Sequence, residues 1–186
     1  MLLYCPIVKK AQLGIFQPAE IKNSKTSMAH GGTLRVGKRK ITRPFVARKK
    51  IHIVMRSSKA KGLLSFFRPK NEAAIHAILH KQSTRHFVKL HEYVNVGNHL
   101  HIKVSCASRE NFSDFLISIS ALIARAVSGA KRGLSFGKFW DALIYTRVLL
   151  SKFEEFTLSK YFDLNAFEAK FGNEMRDLFR AKTVFS

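Results

Sequence analysis

The stretch GNHLHIKV, from Gly97 to Val104, constrains the fold more than any other part of the chain. In an extended strand, side chains alternate between two faces. Leu100, Ile102 and Val104 then share one face, and His99, His101 and Lys103 share the other. One face needs a core. The other carries two imidazoles and a cation at short range, a set that suits a divalent metal held over a phosphate. KKIHIVMRSS, Lys49 to Ser58, repeats the pattern, with Ile51, Ile53 and Met55 opposed to His52, Val54 and Arg56. HFVKLHEYVNV, His86 to Val96, reads as a further strand with Val88, Leu90, Val94 and Val96 on one face. Gly97-Asn98 is a tight turn that joins it to the histidine strand as a hairpin.

Between these strands the period changes. NEAAIHAILHKQ, Asn71 to Gln82, places Ala74, Ile75, Ile78 and Leu79 at helical spacing and turns His76 and His80 to solvent. Those two histidines stand four apart, but no glutamate pattern accompanies them, and a surface role fits better. Ser108 caps a long helix to about Ser128, whose stripe of Phe112, Phe115, Leu116, Ile119, Leu122, Ile123 and Ala126 is core. The turn Ala130-Lys131-Arg132-Gly133 ends it. A fourth strand is expected between about Ser135 and Leu149, with Phe139, Trp140 and Leu143 packing nearby. Ser151 and Glu154 then form a capping box for a last helix along which Phe153, Phe156, Tyr161 and Leu164 run. Strands and helices with one apolar face each pack most economically as an α+β, ferredoxin-like antiparallel sheet with helices on one face. The opposite face, bearing His52, Arg56, His99, His101 and Lys103, is expected to stay open.

Charge points to the partner. The net charge is +21, and thirteen cations from Arg35 to Lys70 follow one another without an intervening acid. Such a run marks a phosphate-binding surface, and nucleic acid is the first choice. At 186 residues the chain suits one domain with appendages. Residues 1–40, punctuated by glycine and proline, read as a basic, loosely ordered arm; residues 41–170 form the domain, and residues 171–186 a helical tail. Cys5 and Cys106 have no metal or redox spacing, which fits a reducing compartment. The greasy segment around Phe115 to Val127 is broken by Ser118, Ser120 and Arg125, so no membrane span and a cytoplasmic location are expected.

GNHLHIKV, a long helix and then FWDALIYTRVLLSKFEEF resemble the HUH-type single-tyrosine transposases. The REP-associated branch, with NHxH on a strand and a tyrosine segment about forty-five residues later, is the most similar. HGGTLRVGKRK, RPF and HIVMRSSKAKG resemble the opening of that group, and the likeness runs from about His30 to Ala169. The resemblance implies site-specific cleavage and rejoining of single-stranded or hairpin DNA. His99 and His101 would hold Mg²⁺ or Mn²⁺, and Tyr145 would be the nucleophile that forms a 5′-phosphotyrosine link. Arg56, Lys103, Lys49, Lys50, Lys59, Lys61, Lys131 and Arg132 would hold the DNA backbone. Related transposases often work as dimers, so a homodimer is a further expectation.

Two departures stand out. Relatives often supply a third metal ligand one helical turn after the tyrosine, and here that position is Leu149, which cannot coordinate. His52 is the substitute candidate, with Asp141 and Glu154 as weaker ones. The tyrosine segment also reads IYTRV, so a shift of one residue would put Ile144 in the nucleophile's place. Two other classes fit the same sequence: a single-strand binder that has lost catalysis, and a basic RNA-binding protein with a similar sheet platform.

Overall fold

A computed structural model describes residues 28–171 apart from Val36, Lys40, Arg132 and Ser135. The expected arm up to residue 27, Arg132 and the tail beyond residue 171 therefore lie outside the described residues. The elements run β1 (Ala29–His30), β2 (Lys50–Arg56), α1 (Pro69–Arg85), β3 (Val88–Asn95), β4 (His99–Cys106), α2 (Arg109–Ser128), β5 (Tyr145–Val148) and α3 (Lys152–Phe171). The five strands form one antiparallel sheet in the order β1-β5-β2-β4-β3, so the fold is α+β, as expected. Residues 29–30, assigned to the arm on sequence, are its edge strand.

The core lies on one face. Ile51, Ile53 and Met55 from β2 and Leu100, Ile102 and Val104 from β4 are fully buried against Ile75 and Leu79 of α1 and Phe112, Phe115, Ile119 and Ile123 of α2. α2 has the ends its sequence asks for: the Ser108 hydroxyl accepts from the Asn111 amide, and Gly129 closes the helix in the left-handed conformation. By length and hydropathy α2 is long and apolar enough to cross a membrane. Its stripe is nonetheless the one that roofs the sheet.

β3 departs from simple alternation. Its register against β4 shifts between Leu90 and Glu92, a bulge at His91. A bulge moves every later side chain to the other face. Val88 and Leu90 pack on the main core, whereas Val94 joins Leu149, Leu158 and Phe162 in a second cluster on the opposite face. The expectation that Val88, Leu90, Val94 and Val96 share a face is thus corrected.

The second cluster exists because α3 crosses the histidine-bearing face, which is not left open. Ser151 and Glu154 cap the helix reciprocally, at 3.1 and 3.4 Å. Lys50 pairs with Glu155 at 2.7 Å, Arg147 pairs with Glu154, and Ser159 meets Lys103, all from the start of α3 onto the sheet. The buried positions of α3 are Leu158, Phe162 and Asn165; Phe153 and Phe156, expected along its inner stripe, are exposed.

The β3–β4 turn is held at its tip. Gly97 has φ +84, and a Cβ there would lie 2.6 Å from the Phe67 ring. Gly97→Ala should cost about 2 kcal/mol, from the left-handed backbone and displacement of that ring. Urea denaturation measures this, and a cost that shrinks in a Phe67→Ala background is the expected signature.

Candidate active site

Strand register decides which polar groups meet. Pairing sets His52 opposite Lys103 and Arg147, Val54 opposite His101 and Tyr145, and Arg56 opposite His99. His52, His99, His101, Lys103, Tyr145 and Arg147 consequently share one face of three adjacent strands. α3 adds Tyr161, whose ring stands edge-on to His101 with centroids 5.3 Å apart, and Phe162, which contacts both His52 and His101.

Both histidines of the NHLH motif have one nitrogen committed and one spare. His99 Nδ1 donates to the Asn98 side-chain carbonyl at 2.7 Å, which leaves the Nε2 lone pair. His101 Nδ1 shares a 3.1 Å hydrogen bond with His52 Nε2. His101 Nε2 is buried without a hydrogen-bond partner. A buried polar nitrogen with nothing to bond is costly. When His101 donates from Nδ1, that orphan is a lone pair presented beside His99, an arrangement that fits a metal ligand oriented from behind. His52 is the group behind it. The sequence offered His52 as a third ligand, but the structure spends its Nε2 on His101.

All three imidazoles are held neutral, the form that coordinates metal. Burial lowers His52 from its usual 6.5 to about 3, helped by Arg147 and Lys103. Burial and Arg56 lower His99 to about 4. Burial and the two neighbouring imidazoles lower His101 to about 2. Stability linkage follows. Below pH 6.5 the unfolded chain takes up protons that the folded chain refuses until far lower pH, so stability falls as pH falls through that window. Each buried histidine contributes about 1.4 kcal/mol per pH unit. In metal-free protein the urea midpoint should drop continuously from pH 6.5 to 4.5. A flat midpoint there would contradict this burial.

The other expected site residues divide. The Lys103 ammonium is buried, paired with Glu92 and Ser159, and cannot lie along DNA as expected. Lys50 is paired with Glu155, and with Lys49 it sits at the far end of β2 from Arg56. Arg56, Lys59, Lys61 and Lys131 are exposed. Asp141, a weaker ligand candidate, accepts from the Ser58 amide and hydroxyl and lies 3.8 Å from Arg56. Glu154, the other, is occupied by Arg147 and the α3 cap. Leu149 is buried in the second cluster. Tyr145 opens β5, inside the stretch where a fourth strand was expected, and its ring is edge-on to His52 with centroids 6.2 Å apart. Burial pushes its hydroxyl above the usual 10.0, with Arg147 pulling the other way.

Among the described residues no three histidine, cysteine or carboxylate side chains converge as a metal site. A third donor to a metal on His99 and His101 would have to come from other chemistry. Asn165, one helical turn after Tyr161 on α3, is buried and donates from Nδ2 to the Tyr161 carbonyl at 2.7 Å, leaving its own side-chain oxygen as an acceptor. Sequence reading treated Tyr161 as part of a packing stripe and passed over Asn165. The signal was a tyrosine and an amide at i and i+4 on the inner face of the last helix.

No family model matches the chain, and no curated protein matches it. Among solved structures, a protein from Deinococcus radiodurans R1, provisionally described as a transposase, is similar over 68% of this chain and 98% of that one, at 14% identity and a TM-score of 0.42. A likeness that remote carries no weight on its own for what this chain does.

Proposed function

We propose that the protein cleaves and rejoins single-stranded DNA through a phosphotyrosine link, with Tyr161 as nucleophile and His99, His101 and Asn165 as the metal-holding set. The observation that carries this reading is the orphaned His101 Nε2, buried in an imidazole that neighbours His99 and meets the Tyr161 ring edge-on. It agrees with the resemblance of GNHLHIKV and the segments after it to the HUH single-tyrosine transposases. That resemblance asks for a ligand one turn after the tyrosine. Tyr145 offers Leu149 there, apolar and at the end of a strand; Tyr161 offers Asn165, on a helix.

The donors suit Mn²⁺ or Mg²⁺ only when phosphate is present. Two neutral imidazoles and an amide oxygen carry no charge to offset a divalent ion, so the scissile phosphate would complete the set. When bound, the ion supplies charge stabilisation to the phosphate oxygens as phosphorus becomes five-coordinate. Tyr161 Oη would attack phosphorus and lose its proton; the bond from phosphorus to the 3′ oxygen would break, and that oxygen would take up a proton as a hydroxyl. Because the new ester conserves the phosphodiester, a second hydroxyl can reverse the step and join strands. Arg56, exposed next to His99 in the sheet, would meet the adjoining backbone.

The test is covalent capture. Native protein incubated with single-stranded hairpin DNA and Mn²⁺ should give an adduct that survives a denaturing gel and disappears with chelator. No adduct with any divalent metal, alongside intact binding, would favour a binder without catalysis. Tighter binding to RNA than to DNA would favour the RNA reading.

A further inference from the structure

We infer that the rim of the sheet at its His99 end is a stacking ledge for an unpaired base of single-stranded DNA, with Phe136 as its platform and Phe67 as a second ring. The inference rests on the functional reading above and adds how the substrate is held.

Three segments meet at this rim. The Ser57 amide donates to the Asn98 carbonyl at 3.0 Å, and the Ser57 hydroxyl donates to the Phe139 carbonyl at 2.6 Å, which ties the end of β2 to the residue before His99 and to the chain after α2. The Phe66 amide donates to the Gly97 carbonyl at 2.8 Å, which brings the loop before α1 to the same turn. Two of these segments, the one between β2 and α1 and the one after α2, carry a phenyl ring that is not fully buried. Phe67 lies against Gly97 and is 44% exposed; Phe136 leans edge-on against Phe139, 5.9 Å between centroids, and is 38% exposed. Large exposed aromatics beside a polar site call for an occupant more than scattered surface leucines do.

The surroundings identify the occupant. The Lys59 ammonium lies over the Phe136 ring, 5.2 Å from its centroid. Arg56, Lys61 and Lys131 are exposed on the segments that build the rim. Asp141 is committed to the Ser58 turn and Arg56. Rings interleaved with cations bind unpaired bases by stacking and their phosphates by charge. The Lys59 ammonium also donates to the Lys138 carbonyl, which holds this cation at the ledge beside the ring, where a stacked base would bring its phosphate. A duplex keeps its bases stacked internally and cannot use the rings.

Binding can be read without cleavage. In chelator, native protein should bind a labelled oligo-dT with fluorescence anisotropy showing clear preference over duplex DNA and oligo-rU. Phe136→Leu, which keeps apolar packing against Phe139, should weaken oligo-dT binding roughly tenfold, and Phe136→Tyr should restore it. Phe87→Ala, removing an exposed ring at the opposite end of the sheet, should leave affinity unchanged. Equal affinity of Phe136→Leu and native protein, or equal losses from Phe136→Leu and Phe87→Ala, would overturn the ledge while leaving covalent adduct formation intact. Tighter binding of oligo-rU or duplex by the native protein would overturn it as well. Loss of adduct with normal oligo-dT binding would instead strike the catalytic reading alone.

Discussion

Tyr161→Phe should abolish the covalent protein–DNA adduct, whereas Tyr145→Phe should retain it. The two phenols are nearly equidistant from the buried histidine pair, one edge-on to His101 and the other edge-on to His52, so proximity does not separate them. Their settings do. Tyr145, half-buried like Tyr161, is fixed in β5 between β1 and β2, with the apolar Leu149 four residues beyond. Tyr161 is half-buried on a helix docked over the histidines, with Asn165 a turn beyond. Removing a nucleophile's only reacting oxygen leaves nothing to form the ester, so the loss should be complete within detection. Tyr145→Phe keeps the ring and its packing, and both variants should fold, because each loses only a hydroxyl. An adduct lost in Tyr145→Phe and kept in Tyr161→Phe would return the nucleophile to the position the sequence first suggested.

The second large effect concerns His52. As the group that orients His101, it should contribute tenfold to a hundredfold in Mn²⁺ affinity without touching the ion. His52→Phe, measured by titration of the Mn²⁺ electron-spin-resonance signal in the presence of uncleavable single-stranded DNA, should therefore weaken binding by that factor. Nitrogen couplings to bound Mn²⁺ distinguish the two roles. Two imidazoles should couple in the native protein and still two in His52→Phe, because the ligands are His99 and His101. Three in the native protein, falling to two in the variant, would make His52 the third ligand. The variant also places a phenyl ring among Phe162, His101 and Tyr145, where His52 already packs as an aromatic, so the fold should survive.

Much of this arrangement was legible in the alternation of β2 and β4. A side chain's face follows from parity while pairing is regular, and these two strands pair without interruption from Lys50–Ser105 to Arg56–His99. That is why His52, His99 and His101 were placed together. Parity fails at a bulge, and nothing in HFVKLHEYVNV announces the extra residue at His91; Val94 and Val96 were therefore put on the wrong side. The same error hid α3. With Val94 assigned to the main core, the histidine face had no apolar partner and read as open, although Val94, Leu149, Leu158 and Phe162 make it a packed surface. Lys103 followed: a cation on an open face would meet DNA, while under α3 it needs Glu92. The proposed nucleophile differs from the Tyr145 that the resemblance implied for a different reason. FWDALIYTR carries the family likeness, but a run of aromatics in α3 was taken as packing, and burial of an asparagine amid them is visible only once the helix is docked.

The most direct measurement of the central claim is the identity of the residue that carries the DNA. A trapped adduct, digested with nuclease and trypsin, should leave a nucleotide mass on the peptide from Tyr161 to Lys170, YFDLNAFEAK. The same mass on the peptide from Phe139 to Arg147, FWDALIYTR, or on neither, would contradict the account.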